Sequence, residues 1–345
     1  MTKFHLKNWN CKIVEKKKIW FSISAGLIAI GLLVFLIFGF NVGIDFSGGT
    51  ILTTTMGDLY QESNYDTYKN VINDVLAKNG LKVEIVQKLS SDSAPGLQVR
   101  YQNTANGKAV EEKEMFELNK KVRAEVEEAI KAKVLADKPL TTVESLNSNL
   151  IVGISSVGAT ASAELLIKAF VAIAVASLLI LGYVAIRFEF LSGATAVIAL
   201  IHDILIMCAC MAIFRIQINA SFVAALITIV GYSINNTIVL FDRVRENLKL
   251  YQMRDATPTL IINTSIKETF TRSMYTSLTT MITIVLLAIL GVPQMREFAL
   301  PIIFGLIAGT YSSMFIAPPL WAWFKDLHNA KLLKSKSAYQ NKKAK

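Results

Sequence analysis

Six long apolar runs restrict this chain to folds whose main solvent is a bilayer. The first, Trp20 to Phe40, carries no charge and can cross a hydrocarbon core of about 30 Å at about 1.5 Å per residue. Five more follow a polar interval: about Ala169 to Ile186, Phe190 to Phe214, Ile218 to Phe241, Ser273 to Val292 and Phe298 to Phe324. Composition agrees, since the chain is 53% hydrophobic and 18% charged, against about a quarter charged in soluble domains. Lys3, Lys7, Lys12, Lys16, Lys17 and Lys18 precede the first run, as in a signal peptide. No Ala-x-Ala-like site follows it and the run is long, which predicts a retained span.

The net charge of +10 raises nucleic acid as a partner, but the cations lie beside apolar runs and at both ends rather than in aromatic-interleaved patches. They read as topology. Arg243, Arg245, Lys249, Arg254 and Lys267 between the fourth and fifth runs, and Lys325, Lys331, Lys334 and Lys336 after the sixth, place both segments in the cytoplasm. Six spans satisfy both conditions with both termini cytoplasmic. The organisation is then a basic arm (1–19), a first span (20–40), an extracytoplasmic domain (41–164), five spans within 165–324 with a cytoplasmic segment 242–272, and a basic tail (325–345).

The outer interval has the patterns of a small α+β domain. Ile51 to Met56 is Thr-rich and predicts a strand. Tyr68, Val71, Ile72, Val75 and Leu76 repeat at helical spacing up to Gly80. Leu81, Val83 and Ile85 alternate with charges, and Leu97, Val99 and Tyr101 alternate again after a turn with Ser93, Pro95 and Gly96. Met115, Leu118, Val122, Val126 and Ile130 mark a second helix, and Leu150 to Ile154 a last strand. The order β-α-β-β-α-β is a ferredoxin-like arrangement.

Enzyme chemistry has little to work with. His5, His202 and His328 are far apart, Cys11 stands alone, and Cys208 and Cys210 lie on different faces of one run, so no metal site, cofactor or Ser/His/Asp triad is expected. Asp203 is the notable group. It lies about midway along the third span, where an ionised carboxylate must face the bundle interior. It is either a proton-coupled site or a structural carboxyl bonded to a neighbouring helix; His202, about 100° away, reads as an interfacial histidine.

Arg272, Thr276, Thr279, Thr280 and Thr283 form one polar stripe on the fifth span, and Ser233, Asn236 and Thr237 share a face of the fourth. These stripes line a water wire or join helices by hydrogen bonds. Gly305 and Gly309 are spaced for close helix packing. Asp242, Arg243, Arg245 and Glu246 form either an ion-pair network or ordinary anchoring at the cytoplasmic boundary. The lysine-rich tail suits attraction to anionic membrane lipids.

The octet Gly43-Ile44-Asp45-Phe46-Ser47-Gly48-Gly49-Thr50 reads on chemistry alone as a flexible exit loop, since it lacks the lysine of a P-loop. As a motif it resembles the segment shared by the SecD/SecF family of protein translocase components. The stretch Gly231-Tyr232-Ser233-Ile234-Asn235-Asn236-Thr237 to Asn247 is similar to the SecF side of that family, as are His202-Asp203 and Arg272-Ser273. With one span, one outer domain and five spans, the resemblance covers nearly the whole chain.

The resemblance implies a polytopic α-helical protein of the bacterial cytoplasmic membrane, with six transmembrane helices of the resistance-nodulation-division type. It implies SecD as partner, the SecYEG channel and SecA as associates, a translocating polypeptide as substrate, and the proton motive force as energy source. It also implies a proton path at Asn236 and Arg272, where relatives commonly carry Asp in place of Asn236. Because Asn236 cannot titrate, either Asp203 takes that part or SecD supplies the carboxylate; the second is preferred. Ala159 and Ser162 replace a Pro and a Gly of the family, which alters the hinge into the second span. The rival readings are a proton-driven lipid or drug exporter on the same bundle, and a non-conducting factor that holds polypeptide or stabilises SecD.

Overall fold

The structure is a computed structural model that describes residues 12–57, 64–89, 95–105, 108–137, 150–187, 189–251, 257–291 and 293–327. His5, Cys11, Ser93, Arg254, His328 and the tail from Lys331 lie outside them. The chain divides into two compact units, one formed by Val42–Phe170 and one by the segments on either side of it.

In the first unit a helical turn, α2 (Ile44–Ser47), leads into β1 (Gly49–Thr55). Then come α3 (Tyr65–Lys78), β2 (Leu81–Leu89), β3 (Gly96–Ala105), the two-residue β4 (Lys108–Ala109), α4 (Glu112–Asp137) and β5 (Ile151–Val157). The sheet order is β2-β3-β1-β5, with β4 paired to β3, and every pairing is antiparallel. Alternate residues Leu52, Leu97, Val99, Tyr101 and Val152 meet Tyr68, Ile72 and Leu76 of α3 and Val122, Val126 and Ile130 of α4 in a buried core. Tyr101 donates to Asn119 Oδ1 at 2.7 Å, and burial raises the pKa of its hydroxyl, which keeps the proton in place.

The second unit holds α1 (Lys17–Phe38), α5 (Ala159–Arg187) from Val171 on, α6 (Phe190–Ile213), α7 (Ala220–Tyr251), α8 (Pro258–Leu290) and α9 (Pro293–Phe315). After Ile316 helix resumes over 317–327. Pro318 and Pro319 lack the N–H that a continuous helix needs, which accounts for the break. Among the described residues, six helical stretches are long and apolar enough to cross a membrane. Helix α7 packs against α9, while α6 packs against α1 and α9.

Two boundaries differ from expectation. Residues 242–272 are largely helical, because α7 runs on to Tyr251 and α8 starts at Pro258 under a Thr257 cap that accepts from Leu260 N at 3.3 Å. Hydropathy falls at the charges, yet Val244, Ile261, Ile262 and Ile266 keep a buried apolar face, so the helices continue. Helix α5 begins at Ala159, ahead of its apolar run, with an exposed Glu164–Lys168 pair at 2.7 Å in its early turns.

Candidate functional site

Asp203 lies between two apolar clusters of the bundle, one around Ile234, Phe241 and Trp321 and one around Met207, Ile229 and Leu306. It is fully buried. A carboxylate there must have both oxygens satisfied, and both are. Oδ1 lies 2.9 Å from His202 Nδ1. Oδ2 accepts from Ser233 Oγ of α7 and, at 2.8 Å, from Ser312 Oγ of α9. The other ring nitrogen of His202 lies 2.8 Å from Ser24 Oγ of α1. Four helices thus converge on one histidine–carboxylate pair. Its hydrogen bonds form a continuous path from Ser24 through His202 and Asp203 to Ser233 and Ser312, and either partner can hold a proton.

A second polar cluster lies one helical turn along. Asn236 Nδ2 donates to Ser277 Oγ at 3.4 Å, and Thr310 Oγ1 lies 2.8 Å from the same oxygen. Thr310 is also 2.7 Å from the Leu306 carbonyl, which can only accept. Its single proton therefore goes to the carbonyl, and Ser277 donates to Thr310. Ser233 and Asn236, about one turn apart on α7, and Thr310 and Ser312, two residues apart on α9, connect the two clusters.

The close approach of α7 and α9 depends on two glycines. A Cβ at Gly305 would fall 2.5 Å from Ile229 Cγ1, and one at Gly309 would fall 3.1 Å from Ser233 Cβ.

The stripe on α8 points elsewhere. Arg272, Thr276, Thr279 and Thr283 are exposed and Thr280 is half-buried, while Ser273 and Ser277 form the buried face. The interior of this chain therefore holds no wire made of those threonines. Their hydroxyls donate to their own helix, Thr276 to the Arg272 carbonyl at 2.9 Å and Thr279 to the Tyr275 carbonyl at 3.0 Å.

The boundary charges do pair. Arg187 donates to both oxygens of Asp242 at 2.7 and 2.8 Å, Arg245 lies 3.7 Å from the same carboxylate, and Arg243 bonds Glu246 and Glu268, each at 2.7 Å. Asn247 ties Glu268 to Ser265. Sequence reasoning missed Arg187 and Glu268, whose partners lie on other helices; Ser24 and Ser277 escaped it because buried serines carry no distinguishing pattern, and Ser312, with Thr310 and Ser313, reads from sequence only as part of the packing face that follows Gly309.

The octet is ordered as a helical turn. Gly48 and Gly49 take φ of 70° and 137°, and a Cβ on Gly49 would crowd Ile44 and the Tyr101 carbonyl. Asp45 and Phe46 lie on α2, half-buried, and Gly43 precedes it, accepting from Ser47 Oγ at 3.0 Å.

Comparison with known proteins bears on what this arrangement serves. The family described as protein export membrane protein SecD/SecF, C-terminal, matches residues 139–327. The protein translocase subunit SecF of Calditerrivibrio nitroreducens is 33% identical, over 92% of this chain and 95% of its own length. The fused subunit SecDF of Bacillus subtilis is 32% identical over 90% of this chain and 37% of its own length. Among solved structures, SecDF of Thermus thermophilus, described as a translocon-associated membrane protein, superposes with a TM-score of 0.70 at 28% identity, over 91% of this chain and 38% of that one.

Proposed function

The chain belongs to the SecF subunits of the SecD/SecF protein-export family, and from that premise we propose that it works with SecD to couple proton movement to late steps of protein export. It is a multi-pass membrane protein, and we place both termini in the cytoplasm by the positive-inside rule. The strand order β2-β3-β1-β5 under two helices supports a ferredoxin-like outer domain.

One observation carries the coupling: a fully buried carboxylate at mid-span whose nearest charge-bearing neighbour is His202, linked by hydroxyls to three other helices. Loading or removing a proton there changes the hydrogen bonds that α1, α7 and α9 make to α6, so protonation and helix packing are coupled. One charge crossing the field supplies about 2.3 kcal/mol per 100 mV, enough to bias such packing. Asp203→Asn keeps the shape and removes the titration. In a strain that depends on this protein, it should lower export about fivefold or more under an energised membrane, the range of a modest coupling free energy. Undiminished export would remove Asp203 from the mechanism.

The exposed face of Arg272, Thr276 and Thr279 favours a second reading, in which SecD packs on α8 and brings the carboxylate that Asn236 lacks. A passive holding role for the outer domain would leave its crosslinks to an exported chain indifferent to an uncoupler.

A further inference from the structure

We propose that the outer edge of β5, with the groove between it and α4, is a docking site for an extended polypeptide segment that adds to the sheet as one more strand. The sheet has two ends, and they are built differently. At one end β2 carries the exposed charges Lys82, Glu84 and Lys88 and pairs irregularly with β3 around Val83, both of which deter strand addition. At the other end β5 pairs with β1 in unbroken register from Ile151 to Val157, and no described strand pairs with its far side. From Leu150 to Ala163 there is no charge at all. Alternate residues of such a strand turn N–H and C=O groups outward, and another extended backbone is what satisfies them.

Beside this edge lies a groove of about 930 Å³ whose walls include Phe116, Lys120, Arg123, Ile154, Ser156 and Leu165. Phe116, Lys120 and Arg123 recur at i, i+4 and i+7 on one exposed flank of α4. That flank faces away from α3, because Glu125 on the opposite flank accepts from Asn79 at the end of α3 at 2.7 Å. Lys120 and Arg123 pair with no described carboxylate, whereas Lys121, Lys131 and Lys133 on the same helix each have one. A strand added to β5 would send every second side chain into this groove, apolar ones against Phe116 and Ile154 and acidic ones toward the two cations. The occupant is therefore an unfolded segment of neutral or acidic, β-prone sequence. That its source is an exported chain rests on the translocase reading above; its chemistry does not.

The test uses the full chain in nanodiscs of zwitterionic lipid and, as probe, a short synthetic peptide of alternating Thr and Val flanked by Glu. The expected result is slowed hydrogen exchange at β5 and unchanged exchange at β2. Ser155→Lys, which copies the guard that Lys82 and Lys88 give the other edge, should weaken the peptide about tenfold, and Lys120→Glu with Arg123→Glu should reverse its preference to a Lys-flanked peptide. All three positions are exposed, so the fold stands in each variant. No protection at β5, equal protection at β2, or affinity unmoved by these variants would overturn the site. So would protection by anionic lipid alone, by a second copy of the chain as its concentration rises, or by SecD in place of peptide. None of these failures touches the coupling reading, which stands or falls on Asp203→Asn.

Discussion

A methyl group at Gly309 would lie 3.1 Å from Ser233 Cβ and 3.2 Å from Ser233 Oγ, closer than neighbouring groups tolerate without moving. Ser233 donates to Asp203 Oδ2, and Ser312, less than one turn from Gly309, donates to the same oxygen. Gly309→Ala should therefore separate α7 from α9 at the site itself, costing about 1–3 kcal/mol of stability in a thermal melt in detergent, with export falling in parallel. Gly309→Ala that melts like the parent would show that the contact has slack. At this scale Asp203 was legible in the sequence, because a carboxylate inside an apolar run has to be enclosed. Its partners were not. Ser24, Ser233 and Ser312 meet only when four helices have particular rotations and depths, and no local pattern encodes that. The threonine stripe shows the same limit: spacing tells which residues share a face, and Ser273, one position beyond Arg272 and about 100° round, is what turned inward.

Helix α5 is the least enclosed of the spans, with Leu178, Leu179 and Ile186 exposed. It is held by Val184, which is buried and would meet a Cβ on Gly193 at 3.1 Å, by Ile173 and Ile180, which pack against the bundle core, and by the Arg187–Asp242 pair to α7. Both side chains of that pair are about a third exposed, so the pair is worth about 1 kcal/mol or less. Arg187→Ala should raise protease or thiol-probe access at the 187–189 connection while shifting the global melt by about 1 kcal/mol or less, and exchanging the two charges should restore protection. Unchanged access would mean that the apolar contacts of Ile173, Ile180 and Val184 are sufficient. The existence of the long elements was legible from periodicity, whereas the short α2 and β4 and the ends of α5, α7 and α8 were not. Hydropathy marks where a bilayer could begin, and a helix stops only where caps, prolines or lost packing stop it.

Six apolar helices of membrane length and one separate α+β unit, among the described residues, were readable from the apolar runs and the polar interval between them, because a bilayer imposes long apolar runs on any sequence that crosses it. What a single chain cannot reveal is which of its polar faces belongs to a partner. The exposed face of α8 is such a case. Thr276 and Thr279 are exposed, donate to the carbonyls of their own helix and bond no other helix among the described residues, so each hydroxyl oxygen can still accept from outside. Replacing both by Leu should leave the melt of the isolated chain unchanged, since nothing within it depends on them. If SecD packs on this face, the same double variant loses two interhelical bonds of about 0.6 kcal/mol each, a several-fold loss of SecD retained through purification in mild detergent. A lowered melt of the isolated chain would assign the threonines to this subunit's own packing. Full retention of SecD would place the shared surface on another helix, and α5, exposed along most of its length, would be the next to examine.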